Sequence, residues 1–276
     1  MPHQILARTA AAGLATMALA LGGCSMAQSP AAGSISAGND DQGYLDATSI
    51  PDTIAILGAP PRPGSPRQMA DTRLFEQTRV LRDTPRWQLA QRDADNGAAA
   101  LLADFDCAIG VHLDARNAPA LAHLFARVRQ DSSAIIKHAK DHYRRPRPFV
   151  GTDQPICTPG NPDIIHSTSY PSGHSTRAWT YGLILAELVP DRATQIMTRA
   201  RIYGDSRIVC GVHYQSDVEA GRSNGAVVVT ALHANSSFMA DMAAAKVEIA
   251  AARRNGVAPD TRKCAADDEA VNMAGL

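Results

Sequence analysis

Three short stretches of this 276-residue chain hold side chains suited to gripping an anion and transferring a group from it. The first is KDHYRRPRPF, residues 140–149, with Lys140, His142, Arg144, Arg145 and Arg147. Pro146 and Pro148 flank Arg147; they end any helix there and stiffen the backbone that carries the guanidinium. A guanidinium held in that way suits a bidentate grip on phosphate or carboxylate. The second is PSGHS, residues 171–175. Ser172 and Gly173 fall where a helix begins, and the first N–H groups of a helix have no internal partners and attract anions. Gly173 lets a ligand approach the backbone closely, and His174 follows it. The third is SRIVCGVHYQSD, residues 206–217. It supplies Arg207, and it sets His213 and Asp217 four residues apart, on one face of a helix starting here. A carboxylate that accepts from one imidazole nitrogen fixes the tautomer and leaves the other nitrogen free to attack.

Each stretch alone has a plainer reading. The first could be a solvated basic helix end, the second a serine N-cap beside a satisfied histidine, the third a surface ion pair. The matter turns on whether the fold brings them together.

The elements that must do so read as helices. TRLFEQTRVLRD is amphipathic. Thr84 and Pro85 are an N-cap and first helical residue for PRWQLAQRDAD. ALLADFDCAIGVHL, residues 100–113, is apolar enough for a buried helix. Residues 118–142 place Leu121, Leu124, Phe125, Val128, Ile135 and Ile136 at helical spacing, and Pro146 and Pro148 end that run. Residues 149–170 read as a loop punctuated by Pro155, Pro159, Gly160 and Pro162. A helix follows the PSGH turn to about Val189, and another restarts at Pro190-Asp191. Two more run from about His213 to Ala234 and from Phe238 to Arg254, where Gly256 stops the last. With no internal repeat and no alternating strand, the expectation is an all-α fold: one compact helical domain over 51–256, entered by a proline-rich arm at 51–68 and followed by a tail at 257–276.

Composition narrows the function. The formal net charge is zero, which argues against general nucleic-acid binding and against a polybasic membrane-surface protein. Arg8 followed by AAAGLATMALALGG reads as a signal peptide over residues 1–24, too short and alanine-rich for a permanent span. LGGC at 21–24 is a lipobox that would lipidate Cys24; Ser25-Met26-Ala27 offers an ordinary cleavage site instead. Either route takes the protein out of the cytoplasm, with residues 25–50, rich in Ser, Ala, Gly and Asp, as a flexible tether. Setting Cys24 aside leaves four of the five cysteines: Cys107, Cys157, Cys210 and Cys264. They can form two disulfides in three ways, or stay as buried thiols. Their spacing does not suggest a zinc site, so no metal is expected on them.

Taken together, K-x6-RP (Lys140 to Arg147-Pro148), PSGH (171–174) and SR-x5-H-x3-D (Ser206-Arg207, His213, Asp217) resemble the type 2 phosphatidic-acid-phosphatase superfamily. The wider words AKDHYRRPRPF, SYPSGHS and SRIVCGVHYQSDVEA resemble its bacterial class A non-specific acid phosphatases. The likeness runs from about residue 60 to 250. It implies a helical, metal- and cofactor-independent enzyme, commonly homo-oligomeric, that hydrolyses small phosphate monoesters through a phosphohistidine. By the same resemblance His213 is the nucleophile, Asp217 its orienting partner and His174 the general acid. Lys140, Arg147, Arg207, Ser172 and the Gly173 N–H hold the phosphoryl oxygens. Phosphoryl transfer needs mainly positioning and charge stabilisation, which three cations and a helix terminus supply. At histidine's ordinary pKa of about 6.5, a neutral His213 and a protonated His174 coexist in mild acid. The location implied is the periplasm, with an outer-membrane anchor if Cys24 is lipidated. Rival readings are a vanadium-dependent haloperoxidase sharing the motif framework, a membrane lipid phosphatase, and a non-enzymatic exported phosphate-binding protein. The second needs spans of about 20 apolar residues that the mature chain lacks. The third leaves both histidines and Asp217 without a task.

Overall fold

The computed structural model describes residues 42–159 and 161–272, the side chains of Pro162 and Asp163 excepted. Cys24, the signal segment, the first part of the tether and the last four residues lie outside the described residues. The helices are α1 (Thr53–Leu57), α2 (Pro66–Thr78), α3 (Pro85–Arg92), α4 (Ala98–Ala103), α5 (Asp106–Ile109) and α6 (Pro119–Tyr143). Then come α7 (Pro162–Ile165), α8 (Gly173–Leu188), α9 (Ala193–Val209), α10 (Gln215–Leu232), α11 (Ser236–Asn255) and α12 (Thr261–Asn272). The described residues contain no strand, so the fold is all-α as the periodicity implied. Among them no helix is long and apolar enough to cross a membrane.

Helix α8 is the axis of the bundle. It lies against α9 and α10 along its length, and α6 and α11 close the other side. The six apolar residues read from the spacing of 118–142 are all buried on α6. Phe125 stacks on Tyr181 of α8 with ring centroids 3.8 Å apart, and the Tyr181 hydroxyl donates to the Phe125 carbonyl at 2.8 Å. Local signals hold at the ends. Thr84 caps α3 ahead of Pro85, and α6 stops at Arg144, in the left-handed region, just before Pro146.

Small residues let α10 meet the start of α8 backbone to backbone. A Cβ on Gly221 would lie 2.6 Å from the Ser172 carbonyl oxygen, and one on Gly225 would lie 2.8 Å from that of Thr176. The Ser172 N–H donates to the Asp217 carbonyl at 2.9 Å. The PSGH turn is thus clamped to the first turn of α10, which carries Asp217.

Three stretches differ from the sequence reading. Residues 100–113 do not form one helix. The chain breaks between α4 and α5, where Arg199 Nε takes the Asp104 carbonyl at 3.0 Å, and α5 ends at left-handed Gly110. Within the expected tether, Tyr44 is buried: its N–H and that of Leu45 bind the Asp131 carboxylate at 2.9 and 3.0 Å. Within the expected tail, α12 packs on α3, with Ala270 buried beside Leu89 and Ile202. The cysteines pair as Cys107–Cys264 and Cys157–Cys210, which decides among the three connectivities. The first bond fastens α12 to α5.

Gly221→Ala tests the clamp. The methyl meets the Ser172 carbonyl, a backbone atom that cannot rotate away, so a loss of about 1–3 kcal/mol is expected in chemical denaturation. Unchanged stability would mean that α8 and α10 can part there at little cost.

Candidate active site

The three chemical stretches meet at one end of the bundle. Lys140 closes the last turn of α6, and Arg147 follows on the loop beyond it. Gly173 and His174 open α8, and His213 lies in the short link from α9 to α10. All five line one cavity of about 470 Å³. Ser172, Arg207 and Asp217 stand behind its wall, fully buried. Ser172 caps α8, its Oγ accepting from the Ser175 N–H at 3.3 Å, so the serine shapes the turn as an N-cap does.

His213 is gripped from both sides. Arg147 Nη1 donates to its Nε2 at 3.1 Å, which requires a lone pair there and puts the proton on Nδ1. Nδ1 faces Ser169 Oγ at 3.3 Å and Asp217 Oδ2 at 3.5 Å. Ser169 in turn donates to Asp217 Oδ2 at 2.5 Å, so the hydroxyl bridges imidazole and carboxylate. The arrangement leaves the Nε2 lone pair facing Arg147, within the cluster of cations.

The sequence leaves open whether Asp217 or the cations govern the charge of His213. The structure answers that. Asp217 Oδ1 is engaged by Arg145 Nη1 at 2.6 Å, and Oδ2 also accepts the Tyr214 N–H at 2.8 Å. Its charge is largely spent. Burial, then Arg147, Lys140 and Arg207, hold the His213 pKa well below its usual 6.5. Burial followed by Arg207 does the same to His174. Both shifts run downward, so burial and the nearby cations favour the neutral form of each ring in the free protein, whereas ordinary pKa values would let one ring be protonated in mild acid. His174 Nε2 donates to the Ala94 carbonyl at 3.0 Å, leaving Nδ1 as the nitrogen that takes up a proton.

The cations differ in how they are held. Arg147 donates to the Ser167 and Val212 carbonyls at 2.9 and 2.7 Å, which fixes its plane. Lys140 donates to the Thr168 carbonyl; burial, then Arg147, brings its pKa down to about 7. Arg207 is the outlier. All three of its guanidinium nitrogens are buried without a hydrogen-bond partner, and burial lowers its pKa to about 10. A buried charge is costly unless paired. An unpartnered guanidinium beside Arg147 and two histidines is a place where an anion would find donors.

Several residues the sequence reading passed over support the site. Arg145, seen only as part of a basic run, bridges Asp217 and Asp71, with Asp71 at 2.8 Å. Ser169 sits one residue before Tyr170-Pro171, and nothing local marks it. Asn96, after α3, lines the cavity with Nδ2 3.3 Å from both His174 ring nitrogens. The Cys157–Cys210 bond ties the loop bearing Ser167 to the link bearing His213, and the Cys157 N–H donates to the Cys210 carbonyl at 3.1 Å. With all four described cysteines in disulfides, none offers a thiolate to a metal.

Comparison with known proteins agrees with this geometry. A family model described as the PAP2 superfamily matches residues 120–238, which include every residue of the cavity cluster just described from Lys140 to Asp217. The chain is 43% identical over 220 residues to a protein of Zymomonas mobilis named acid phosphatase, spanning 79% of this chain and 83% of that one. It is 34% identical over 220 residues to a non-specific acid phosphatase of Providencia stuartii, spanning 77% and 89%. It is 30% identical over 194 residues to one of Salmonella typhimurium, spanning 69% and 78%.

The two buried imidazoles make stability pH-dependent. Their folded pKa values lie below the unfolded value, so the contribution is present above about pH 6.5 and is lost as pH falls. Each ring contributes a slope of at most about 1.4 kcal/mol per pH unit. Denaturation midpoints of wild type should fall between about pH 6.5 and 5, and a His174→Gln/His213→Gln double variant should lose that part of the slope. An unaltered slope would place the titration on other groups. Asp104, whose pKa burial raises to about 6, pulls the opposite way in both proteins and cancels in the comparison.

Proposed function

The chain belongs to the PAP2 superfamily and is an acid phosphatase, a phosphoric monoester hydrolase, and on that footing we propose that it works outside the cytoplasm, without a metal, through a phosphohistidine. The observation that carries the mechanistic part is the meeting of the neutral, oriented His213 with the unpartnered guanidinium of Arg207. In this reading the phosphoryl oxygens lie among Lys140, Arg147, Arg207 and the Gly173 N–H. His213 Nε2 attacks phosphorus: a P–N bond forms, the ester P–O bond breaks, and the leaving oxygen takes a proton from His174. A water then attacks the phosphohistidine and gives its proton to His174, releasing orthophosphate and neutral His213. Asp217 and Ser169 stabilise the Nδ1–H as positive charge develops on the ring.

Protonation follows the substrate. A phosphate dianion entering beside His174 offsets the Arg207 field that keeps the ring neutral, so binding raises its pKa towards the working range. Lys140 holds its charge below about pH 7 and loses it above, which weakens the grip in alkali. Both effects favour acid.

Export is supported by two disulfides, which persist in oxidising compartments, together with the N-terminal signal and its lipobox at Cys24. Small phosphate monoesters in the periplasm are the proposed substrates.

The test is a phosphomonoesterase assay of the mature protein at acidic pH with a chelator present, followed by acid-quench trapping of the phosphoenzyme. Turnover should survive the chelator, and His213→Ala should abolish both turnover and trapped phosphate while helicity is kept. Phosphate trapped on another residue would overturn the assignment.

His174→Ala should discriminate between leaving groups. Alkoxides depart poorly without a proton, whereas nitrophenolate needs little help. Pre-steady-state phosphoryl transfer from glycerol phosphate should fall about 10²–10⁴-fold, and that from nitrophenyl phosphate much less. Equal losses would mean that His174 holds the phosphate or the fold and is not the acid.

A further inference from the structure

Two cations lining the cavity have no part in the chemistry above: Lys137, which is paired with Asp141, and Arg177, which is not paired with any described acid. Arg177 stands on α8 three residues after His174 and four after Gly173, on the same face of the helix. It lines the cavity, and its Nη1 lies 3.6 Å from where a Gly173 Cβ would be. Its Nη2 donates to Ser133 Oγ at 3.0 Å, and its Nε is sealed from solvent with no hydrogen-bond partner. No carboxylate among the described residues pairs with it. Its charged neighbour is another cation, Arg129, which with burial brings its pKa down to about 10. Among the described residues lining the cavity the one carboxylate, Asp141, is exposed and bound to Lys137 at 2.5 Å.

Helix α6 continues the pattern. Arg129, Ser133, Lys137 and Lys140 fall at steps of four, four and three, along one face. Ser133 lies seven residues before Lys140, about 10 Å along the axis. Lys140, Arg147, Arg207 and the helix terminus already meet the charge of one phosphoryl group. Arg177 and Ser133 form a second cationic place, displaced along α6 from the first and partnered by no acid.

We propose that Arg177, steadied by Ser133, receives a second anionic group of the substrate, so that the enzyme favours phosphate monoesters that carry a second phosphate. This rests on the reading of the cavity as a phosphomonoesterase site and adds a substrate class to it. A second phosphate supplies the acceptor oxygens that the buried Nε lacks and the negative charge that the Arg177–Arg129 pair lacks. A neutral alcohol supplies no charge there.

The experiment compares propyl phosphate with propane-1,3-diyl bisphosphate, which differ by one phosphate. Wild-type kcat/KM should favour the bisphosphate about 10- to 100-fold beyond the statistical factor for two ends, the range of one or two charge-assisted hydrogen bonds. The gain should appear mainly in KM. Arg177→Gln should remove it while changing propyl phosphate turnover little, and Ser133→Ala should reduce it in part. Hydrolysis of propyl phosphate without that excess in wild type defeats this inference alone, whatever the variants do. Equal losses on both substrates in Arg177→Gln defeat it too, because Arg177 would then hold the scissile phosphoryl group. Hydrolysis of neither substrate defeats the phosphatase reading and this one with it.

Discussion

A buried carboxylate needs hydrogen-bond partners on both oxygens, and Asp217 meets that demand by drawing the loop after α6 and the approach to α8 onto the start of α10. Its Oδ1 takes Arg145 from the loop after α6, and its Oδ2 takes Ser169 from the approach to α8 and the Tyr214 N–H at the start of α10. Its own carbonyl takes the Ser172 N–H at the mouth of α8. His213, four residues earlier, leans on the same carboxylate from 3.5 Å. Breaking one side of such a buried network leaves an uncompensated charge, at a cost of about 3–5 kcal/mol. The PSGH turn and His213, the proposed phosphoryl cradle and nucleophile, are therefore set by the same interaction that joins the helices, and the Gly221 and Gly225 contacts make room for it.

This constraint explains why Arg145 and Arg147 are not equivalent, although both belong to RRPRP. Arg145 points to Asp217 and Asp71, Arg147 to His213 and the cavity. One neutralises a structural acid; the other remains as free positive charge for a ligand. Lys140, Arg147 and Arg207 repel one another, and the depressed pKa of Arg147 records both its burial and the Arg207 field. The protein tolerates this because Asp71, Asp93 and Asp217 balance cations nearby while leaving the cavity itself acid-poor.

Most of the bundle was legible in the sequence because helix periodicity, proline stops and N-caps are local. The 118–142 helix and the Thr84-Pro85 start follow from neighbours a few residues apart. The break at Asp104 does not, since its cause is Arg199, 95 residues away. Tyr44 and α12 were missed for the same reason: their partners, Asp131 and the α3 face, are distant. At the site, the motif residues could be named because their types and spacing together resemble a known family pattern. Ser169, Asp71 and Asn96 could not, because each acts through a contact made only by the fold. The pKa directions were beyond reach as well, because burial is the largest cause for both histidines.

In the proposed mechanism, that last point bears on how two histidines in similar fields would take opposite roles. Burial and the cations favour the neutral form of both rings in the free protein, so role does not follow from a difference in their surroundings' charge alone. It follows from which nitrogen is exposed to what. His213 has its Nδ1–H committed to Ser169 and Asp217 and its Nε2 lone pair facing Arg147, so it can give electrons to phosphorus and shed the resulting charge into the carboxylate. His174 has no carboxylate partner among the described residues; its Nε2–H is held by the Ala94 carbonyl, and its Nδ1 lone pair, which faces the Asn96 amide at 3.3 Å, is the place where the ring gains a proton. A bound dianion raises the proton affinity of His174 by opposing Arg207, whereas bond formation at phosphorus removes the lone pair of His213 altogether. In the proposed mechanism the substrate itself thus separates the acid from the nucleophile, and a cavity with surplus cations would make that separation depend on how much negative charge the substrate brings.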